Sequence, residues 1–367
     1  MPSTNPFRSI IPVPRADKLF LMAHNNVMKT SIRGTSESVP PLQRIRKKEA
    51  TRIELLSKEL RNRLFRIVED FPRMDAEIIT GFYVEILDLS FGLDKIRKTL
   101  GSFSGAADVV WKIKREHLGA VWNARSVLAA KTIRRAAFGR MKSVIIKLDA
   151  RLEFIEGVRA RMRGMPGIDL DQPTICIAGY PNVGKSSLVN AVTSATPEIG
   201  AYPFTTKEVT LGHLKIPIFV SSISERPISH ISCQIVDTPG ILDRSLTEMK
   251  EIELRAIAAL KTLATAIVFI FDFTQETSIT SQINLLDQIS QNFREVPLLL
   301  ICGKEDLLNE SQKKQLQAFW EQNFPQKVLH LLSMNNKEEI RQLLIVFFEE
   351  NRTQIQQIMK KRKIGEI

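Results

Sequence analysis

Eight consecutive residues, Gly179-Tyr180-Pro181-Asn182-Val183-Gly184-Lys185-Ser186, limit what this chain can fold into more than any other segment. They fit G-x-x-x-x-G-K-[ST]. The apolar run Thr174–Ala178 precedes them, and a helical pattern through Leu188, Val189 and Val192 follows. A glycine-rich turn between a buried strand and a helix start lets backbone N–H groups curl around an anion, where the helix dipole favours negative charge. The spacing therefore predicts a phosphate cradle. Gly179, Pro181, Asn182, Val183, Gly184, Lys185, Ser186 and Ser187 are its expected nucleotide-binding residues. Lys185 is expected between the β- and γ-phosphates, and the Ser186 hydroxyl on Mg²⁺.

Two downstream segments fit the same chemistry. Asp237-Thr238-Pro239-Gly240 closes an apolar strand; Asp237 is expected to hold Mg²⁺, and the Gly240 amide to sense the γ-phosphate. Between the two motifs lies Tyr202-Pro203-Phe204-Thr205-Thr206, where one threonine hydroxyl would complete the Mg²⁺ shell. The residues leave open whether that is Thr205 or Thr206. Both threonines join Gly240, Lys185 and Asn182 as expected contributors to catalysis.

Base selection is expected at Gly303-Lys304-Glu305-Asp306, after the buried run 297–302. GTPases carry N-K-x-D at this place. Asp306 can accept from guanine N1–H and the 2-amino group, and Lys304 can lay its stem along the base. Gly303 stands where the pattern has Asn, so one side-chain contact is missing. Ser333 is the expected last base contact. Ile241 follows Gly240, where Ras-like enzymes carry a water-orienting glutamine, so hydrolysis would rest on positioning and electrostatics. Asn182 is a candidate to hold K⁺ in the role of an arginine finger; the alternative for it is loop geometry alone.

The net charge of +12 is unevenly spread: residues 1–170 carry +14 and residues 171–367 carry −2. A basic first half points to a phosphate-rich partner, because neutralising phosphates releases counterions. The three cysteines are far apart, and none forms a CxxC pair, so neither a disulfide framework nor a zinc site is expected. The longest apolar runs fall well short of the ~20 residues that span a bilayer. A cytoplasmic, soluble monomer with no membrane partner is the expectation.

The fold expected from periodicity is α followed by α/β. The first ~40 residues are proline-rich and read as irregular, and helical patterns then cover about 42–70, 75–90, 93–102, 104–121, 122–137 and 139–162. Trp111 and Trp122 lie within apolar patterns and read as core. After Arg163-Gly164-Met165-Pro166-Gly167 strands and helices alternate, which predicts a three-layer domain with a mostly parallel sheet. The expected domains are a helical RNA- or ribosome-binding unit at 1–167, a GTPase unit at 168–350 and a basic helical tail at 351–367. Arg134, Arg135, Arg140, Lys142 and Lys147 are the expected RNA contacts.

These motifs resemble the nucleolar GTP-binding protein (Nog) family, a branch of the Obg-type GTPases. The P-loop run, Tyr202–Thr206 and Asp237–Leu242 are similar to Obg-type proteins generally. More specific are Arg134-Arg135-Ala136-Ala137-Phe138-Gly139-Arg140-Met141 and Leu152-Glu153-Phe154-Ile155-Glu156-Gly157-Val158-Arg159. The resemblance implies a GTP- and GDP-binding factor for large-ribosomal-subunit assembly, with rRNA, the subunit or its precursor and ribosomal proteins as partners. It suggests a compact, archaeal-type member with a slow rate stimulated by the particle and by K⁺. Lys215–Ser229 looks like an insertion relative to it. The competing expectation is a nucleotide-occupied RNA-binding scaffold with negligible turnover.

Overall fold

The computed structural model describes residues 5–32, 39–73, 81–193, 196–201, 208–218, 229–237, 242, 257, 260–274 and 278–364. The chain divides into two compact units. One comprises Pro6–Ile78 and Phe91–Arg163; the other comprises Met1–Asn5, Ile79–Ser90 and Gly164–Ile367.

The first unit is helical. Helix α1 (Ala16–Lys29) is followed by α2 (Pro41–Asp70), while α3 (Gly81–Phe91) sides almost wholly with the second unit. Helices α4 (Leu93–Trp122), α5 (Val127–Ile146) and α6 (Asp149–Arg163) complete the bundle. Pro41 opens α2 at a position that has no intrahelical use for an N–H. Its Ile53, Leu56, Leu60 and Leu64 then recur at steps of three and four and are fully buried. That stripe packs on α4 and α5. Burying each such side chain contributes about 1.5–3 kcal/mol, which is what sustains a helix of this length.

The details of the bundle depart from periodicity in three places. The proline-rich start contains α1, whose Leu19, Ala23 and Val27 are buried at i, i+4 and i+8. The strap before it is tied down by hydrogen bonds that no sequence pattern announces: Val13 N donates to Glu156 Oε2 at 2.7 Å, and Arg159 grips Glu156 through Nε and Nη2. Next, the patterns at 93–102 and 104–121 form one helix, because Gly101 and Gly105 sit in it with open space around them. Finally, the break expected near residue 138 falls at Lys147-Leu148 instead. Trp111 and Trp122 are at the surface, 38% and 49% exposed, because the apolar stripe of α4 runs through Ile96, Phe103, Val110 and Ile113 instead. Arg115 lies over the Trp111 ring at 4.7 Å.

The second unit carries a seven-stranded sheet in the order β2-β3-β4-β1-β5-β6-β7. Its strands are β1 (Thr174–Ala178), β2 (Glu198–Ala201), β3 (Glu208–Ile218), β4 (Ser229–Asp237), β5 (Ala266–Phe271), β6 (Leu298–Cys302) and β7 (Leu329–Leu331). β2 and β3 run antiparallel to their neighbours, and the other pairings are parallel. Its described helices include α7 (Lys185–Val192), α8 (Ile279–Asn292), α9 (Glu310–Asn323), α10 (Lys337–Glu350) and α11 (Arg352–Ile364). Alternation along β6 sends Ile301 into the cluster with Leu188 of α7, Leu344 of α10 and Ile355 of α11. It sends Cys302 to the other side, against Leu308 and Leu316. Both faces are covered, which is why β1 and β5 read as unbroken apolar runs.

β3 and β4 form a long antiparallel pair, in which Ile218 pairs with Ser229 at the far end. Lys215–Ile218 of the apparent insertion therefore belongs to the sheet, and its residues 219–228 lie outside the described ones.

The joint between the halves of the sequence is clamped within the second unit. Tyr83 Oη of α3 donates to Pro166 O and accepts from Ile168 N; Asn5 Nδ2 donates to Met165 O. Gln234 of β4 accepts from Asp169 N and donates to Asp169 O. At the other end Arg362 of α11 is partly buried and donates to Leu170 O at 3.1 Å and to Leu263 O. Burial pushes its guanidinium down to about 10. Lys361 pairs with Glu295 at 2.7 Å, so two charges of the basic tail are engaged with the unit itself.

Arg134, an expected RNA contact, has a demanding place in the bundle. Its Nε sits 2.6 Å from Glu49, a carboxylate that is 2% exposed, and its guanidinium lies over Phe138 at 5.0 Å. Arg52 also reaches Glu49, at 3.2 Å. Removing Arg134 would leave the buried carboxylate with Arg52 as its one cation among these two, and under-compensated buried charge is costly. Arg134→Ala should cost about 3 kcal/mol of stability in urea denaturation, whereas Arg135→Ala, at an exposed position, should change it by no more than about 0.5 kcal/mol.

Candidate functional site

The candidate site is built on loops at the carboxyl ends of adjacent parallel strands, where β1 stands between β4 and β5. Open sheets of this kind bind ligands there. The loop 179–184 turns sharply off β1. Gly179 has φ +136°, and a Cβ on it would lie 2.5 Å from the Ile270 carbonyl oxygen of β5. Glycine is therefore required twice at this position, by conformation and by space. Its N–H donates to Leu242 O at 2.9 Å. Gly184, with φ +105°, caps the N-terminus of α7.

Asn182 also adopts a left-handed conformation, φ +64°, which asparagine tolerates better than most residues. Loop geometry by itself therefore favours an asparagine at this position. Pro181 and the Asn182 side chain are exposed, Val183 is buried beneath the loop, and Ser187 points outward.

Lys185 is 7% exposed, and its Nζ donates to the carbonyls of Gly179 at 2.7 Å and Tyr180 at 2.8 Å. The ammonium thus lies inside the turn that its own backbone encloses. The next residue, Ser186, donates its hydroxyl to Asp237 Oδ2. Asp237 ends β4, is 2% exposed and pairs with Ile177 of β1. A hydroxyl and a buried carboxylate beside a cradle of N–H groups are hard oxygen donors of the kind Mg²⁺ takes, so these residues fit that ion. No group of three or more His, Cys, Asp or Glu side chains that could hold a metal occurs among the described residues. Thr205, Thr206 and Gly240 lie outside the described residues.

The base-reading segment follows β6. Gly303 N donates to Phe271 O at 2.9 Å, which ties the loop to β5. Lys304 is left-handed, φ +57°, and its Nζ reaches Asp272 Oδ2 at 2.7 Å. Sequence reasoning missed Asp272. Asp272 directly follows β5, and what marks it is its network. Its Oδ1 accepts from Thr274 N and Oγ1 at 2.8 and 2.6 Å, and its backbone exchanges two hydrogen bonds with the buried Gln282 side chain. Burial works to raise its carboxyl, and the Lys304 ammonium and Thr274 donors outweigh that, holding it below the usual carboxylate range. Lys304 is thereby fixed at its tip, leaving the stem to flank a ligand. Asp306 is exposed in the 3₁₀ turn Glu305–Leu307. Ser333 is partly buried, and its Oγ accepts from Asn335 N at 3.3 Å.

In the helical unit the expected RNA contacts separate. Arg134 is used inside the bundle as described, and Arg140 pairs with Glu116 at 2.7 Å. Arg135, Lys142 and Lys147 are exposed. No helix among the described residues is long and apolar enough to cross a membrane.

Residues 7–169 match the family described as NOG1 N-terminal helical domain, and residues 174–304 match the one described as 50S ribosome-binding GTPase. A protein of Methanocaldococcus jannaschii, described only as uncharacterized, is 32% identical over 84% of this chain and 83% of its own length. Nucleolar GTP-binding protein 1 of Caenorhabditis elegans is 32% identical over 85% of this chain, which spans 44% of that relative. The crystal structure of a putative nucleolar GTP-binding protein 1 from Plasmodium falciparum aligns with 55% of this chain and 99% of its own, at 24% identity and a TM-score of 0.39.

The Asp272–Lys304 pair has a pH signature. A carboxyl whose folded pKa is depressed adds stability above its unfolded value, about 3.9, and loses it as pH falls through the folded value. Asp272→Asn should lower stability by about 1–2 kcal/mol at pH 7, and the gap to the unaltered protein should close as pH drops below about 4. Chemical denaturation from pH 7 to 2.5 measures both.

Proposed function

This chain belongs to the nucleolar GTP-binding protein 1 family, and from that membership we propose that it binds and hydrolyses GTP during assembly of the large ribosomal subunit. Its basic helical unit docks on rRNA, and nucleotide state sets the affinity for the particle. The observation that carries the reading is the convergence of two pairs at the carboxyl ends of one sheet. Ser186 on Asp237 lies beside the phosphate turn, and Lys304 on Asp272 lies beside the base loop.

In this mechanism the N–H groups of 182–184 and the Lys185 ammonium receive the β- and γ-phosphates. Ser186 and Asp237 would hold Mg²⁺, whose chemistry there would be to offset negative charge on the phosphates. Thr205 or Thr206 and the Gly240 amide respond to the γ-phosphate, so hydrolysis releases them. Asp306 selects guanine through two donors that adenine does not present together. Arg135, Lys142 and Lys147, exposed on the helical unit, supply phosphate contacts to rRNA. Asn182 would be the residue that holds K⁺, whose positive charge would serve where an arginine finger does in other enzymes. The subunit precursor and ribosomal proteins are the partners.

GTP and ATP binding and turnover should be measured in KCl and in NaCl, with and without large ribosomal subunits. GTP-selective turnover, faster in K⁺ and raised about tenfold or more by the particle, is expected. Lys185→Ala should abolish turnover, and Arg135→Ala with Lys142→Ala should weaken co-sedimentation and flatten its salt dependence. GTP binding with no turnover under any condition would favour the scaffold reading. Failure to co-sediment in either nucleotide state would remove the ribosomal role.

A further inference from the structure

The loops that follow β1, β6 and β7 meet at one side chain. A Cβ added to Gly303 would lie 3.0 Å from the Val183 carbonyl oxygen, 3.2 Å from Ile270 Cγ2 and 3.2 Å from Met334 Cε. The same Met334 runs past Gly184, where an added Cβ would meet its Cγ at 3.5 Å and its Cε at 3.9 Å. Met334 is partly buried and packs on the central core cluster. Its thioether therefore bridges the end of the phosphate turn and the start of the base-reading loop, in space that any side chain at 303 would enter.

We propose that Met334 is a positioning residue for the purine nucleotide. Seated beside Gly303, it holds Lys304 and Asp306 in register with the phosphate turn at Gly184. The proposal rests on the nucleotide-binding reading above. Both loops carry a left-handed residue at this junction, Gly184 at φ +105° and Lys304 at φ +57°, so packing must hold conformations that the backbone does not favour by itself. With glycine at 303, no side-chain hydrogen bond from that residue can join the two loops. An unbranched thioether fills such an irregular gap in an unstrained rotamer. The pairing of Gly303 with Met334 follows as a physical dependence: a side chain at 303 needs a small residue at 334, and a small residue at 334 leaves the glycine loop unsupported.

A double-mutant cycle on the full chain tests this, with Gly303→Asn, Met334→Ala and the two together. The readouts are affinity for guanosine diphosphate and for inosine diphosphate, which lacks the 2-amino group, with thermal melts of each variant. Each single change should reduce guanosine diphosphate affinity about tenfold and shrink its advantage over inosine diphosphate. The double variant should lose clearly less than the two single changes combined, the contacts of residue 303 with Val183 O and Ile270 Cγ2 being unaffected by position 334. Met334→Leu, which keeps most of the volume, should retain the preference even if Gly303→Asn does not fold. Additive losses, or lowered melting temperatures with an unchanged guanine-to-inosine preference, would reduce Met334 to a core filler and overturn the proposal. An unaltered protein that binds neither nucleotide would instead sink the nucleotide-binding reading itself.

Discussion

The close approach of the backbone at Gly179 to the Ile270 carbonyl is the constraint on which the rest of the candidate site depends. With any Cβ at that point 2.5 Å from a strand carbonyl, the chain can leave β1 only through glycine. Because it leaves there, the turn closes over Lys185, and Ser186 arrives beside Asp237 at the end of β4. The pairing of β1 with both β4 and β5 is what brings the three strand ends to one place. A shift of register along either edge would separate the hydroxyl from the carboxylate or drive the turn into the sheet.

The base side of the site uses different means. Its loop is fastened by an ion pair, Lys304 to Asp272, that is itself held by Thr274. Gln282 fixes the backbone of Asp272 from α8. This is a polar network in a partly dry place, where satisfied groups rigidify and an unpaired one is costly. The phosphate side is thus set by backbone conformation and the base side by side-chain electrostatics, with Met334 lying between the two.

The helical unit shows how the same residue type divides between structure and surface. Arg134 and Arg135 are neighbours, yet one neutralises the buried Glu49 and the other is exposed. A helix places successive residues about 100° apart, so adjacent arginines fall on different faces. Arg159 is likewise spent on Glu156 and the strap at Ile10. The basic side chains open to a polyanion are therefore fewer than the 32 Lys and Arg of residues 1–170.

Sequence by itself determined the fold class, the strand–loop–helix placement of 179–186 and the positions of Asp237 and Lys304, because periodicity and glycine spacing are local properties. It also placed the family, through short runs such as Arg134–Met141. Tertiary structure alone decided the rest. The helix α1 hides in a proline-rich stretch because its four buried residues find partners only across the bundle. Trp111 looks like core until the burial of Val110 and Ile113 sets the inward face of α4. Asp272, Gln282 and Met334 carry no motif, since what they do depends on strands and loops that are distant in sequence and adjacent in space. Local pattern specifies which element a segment forms; which side chains meet is a property of packing, and packing is not local.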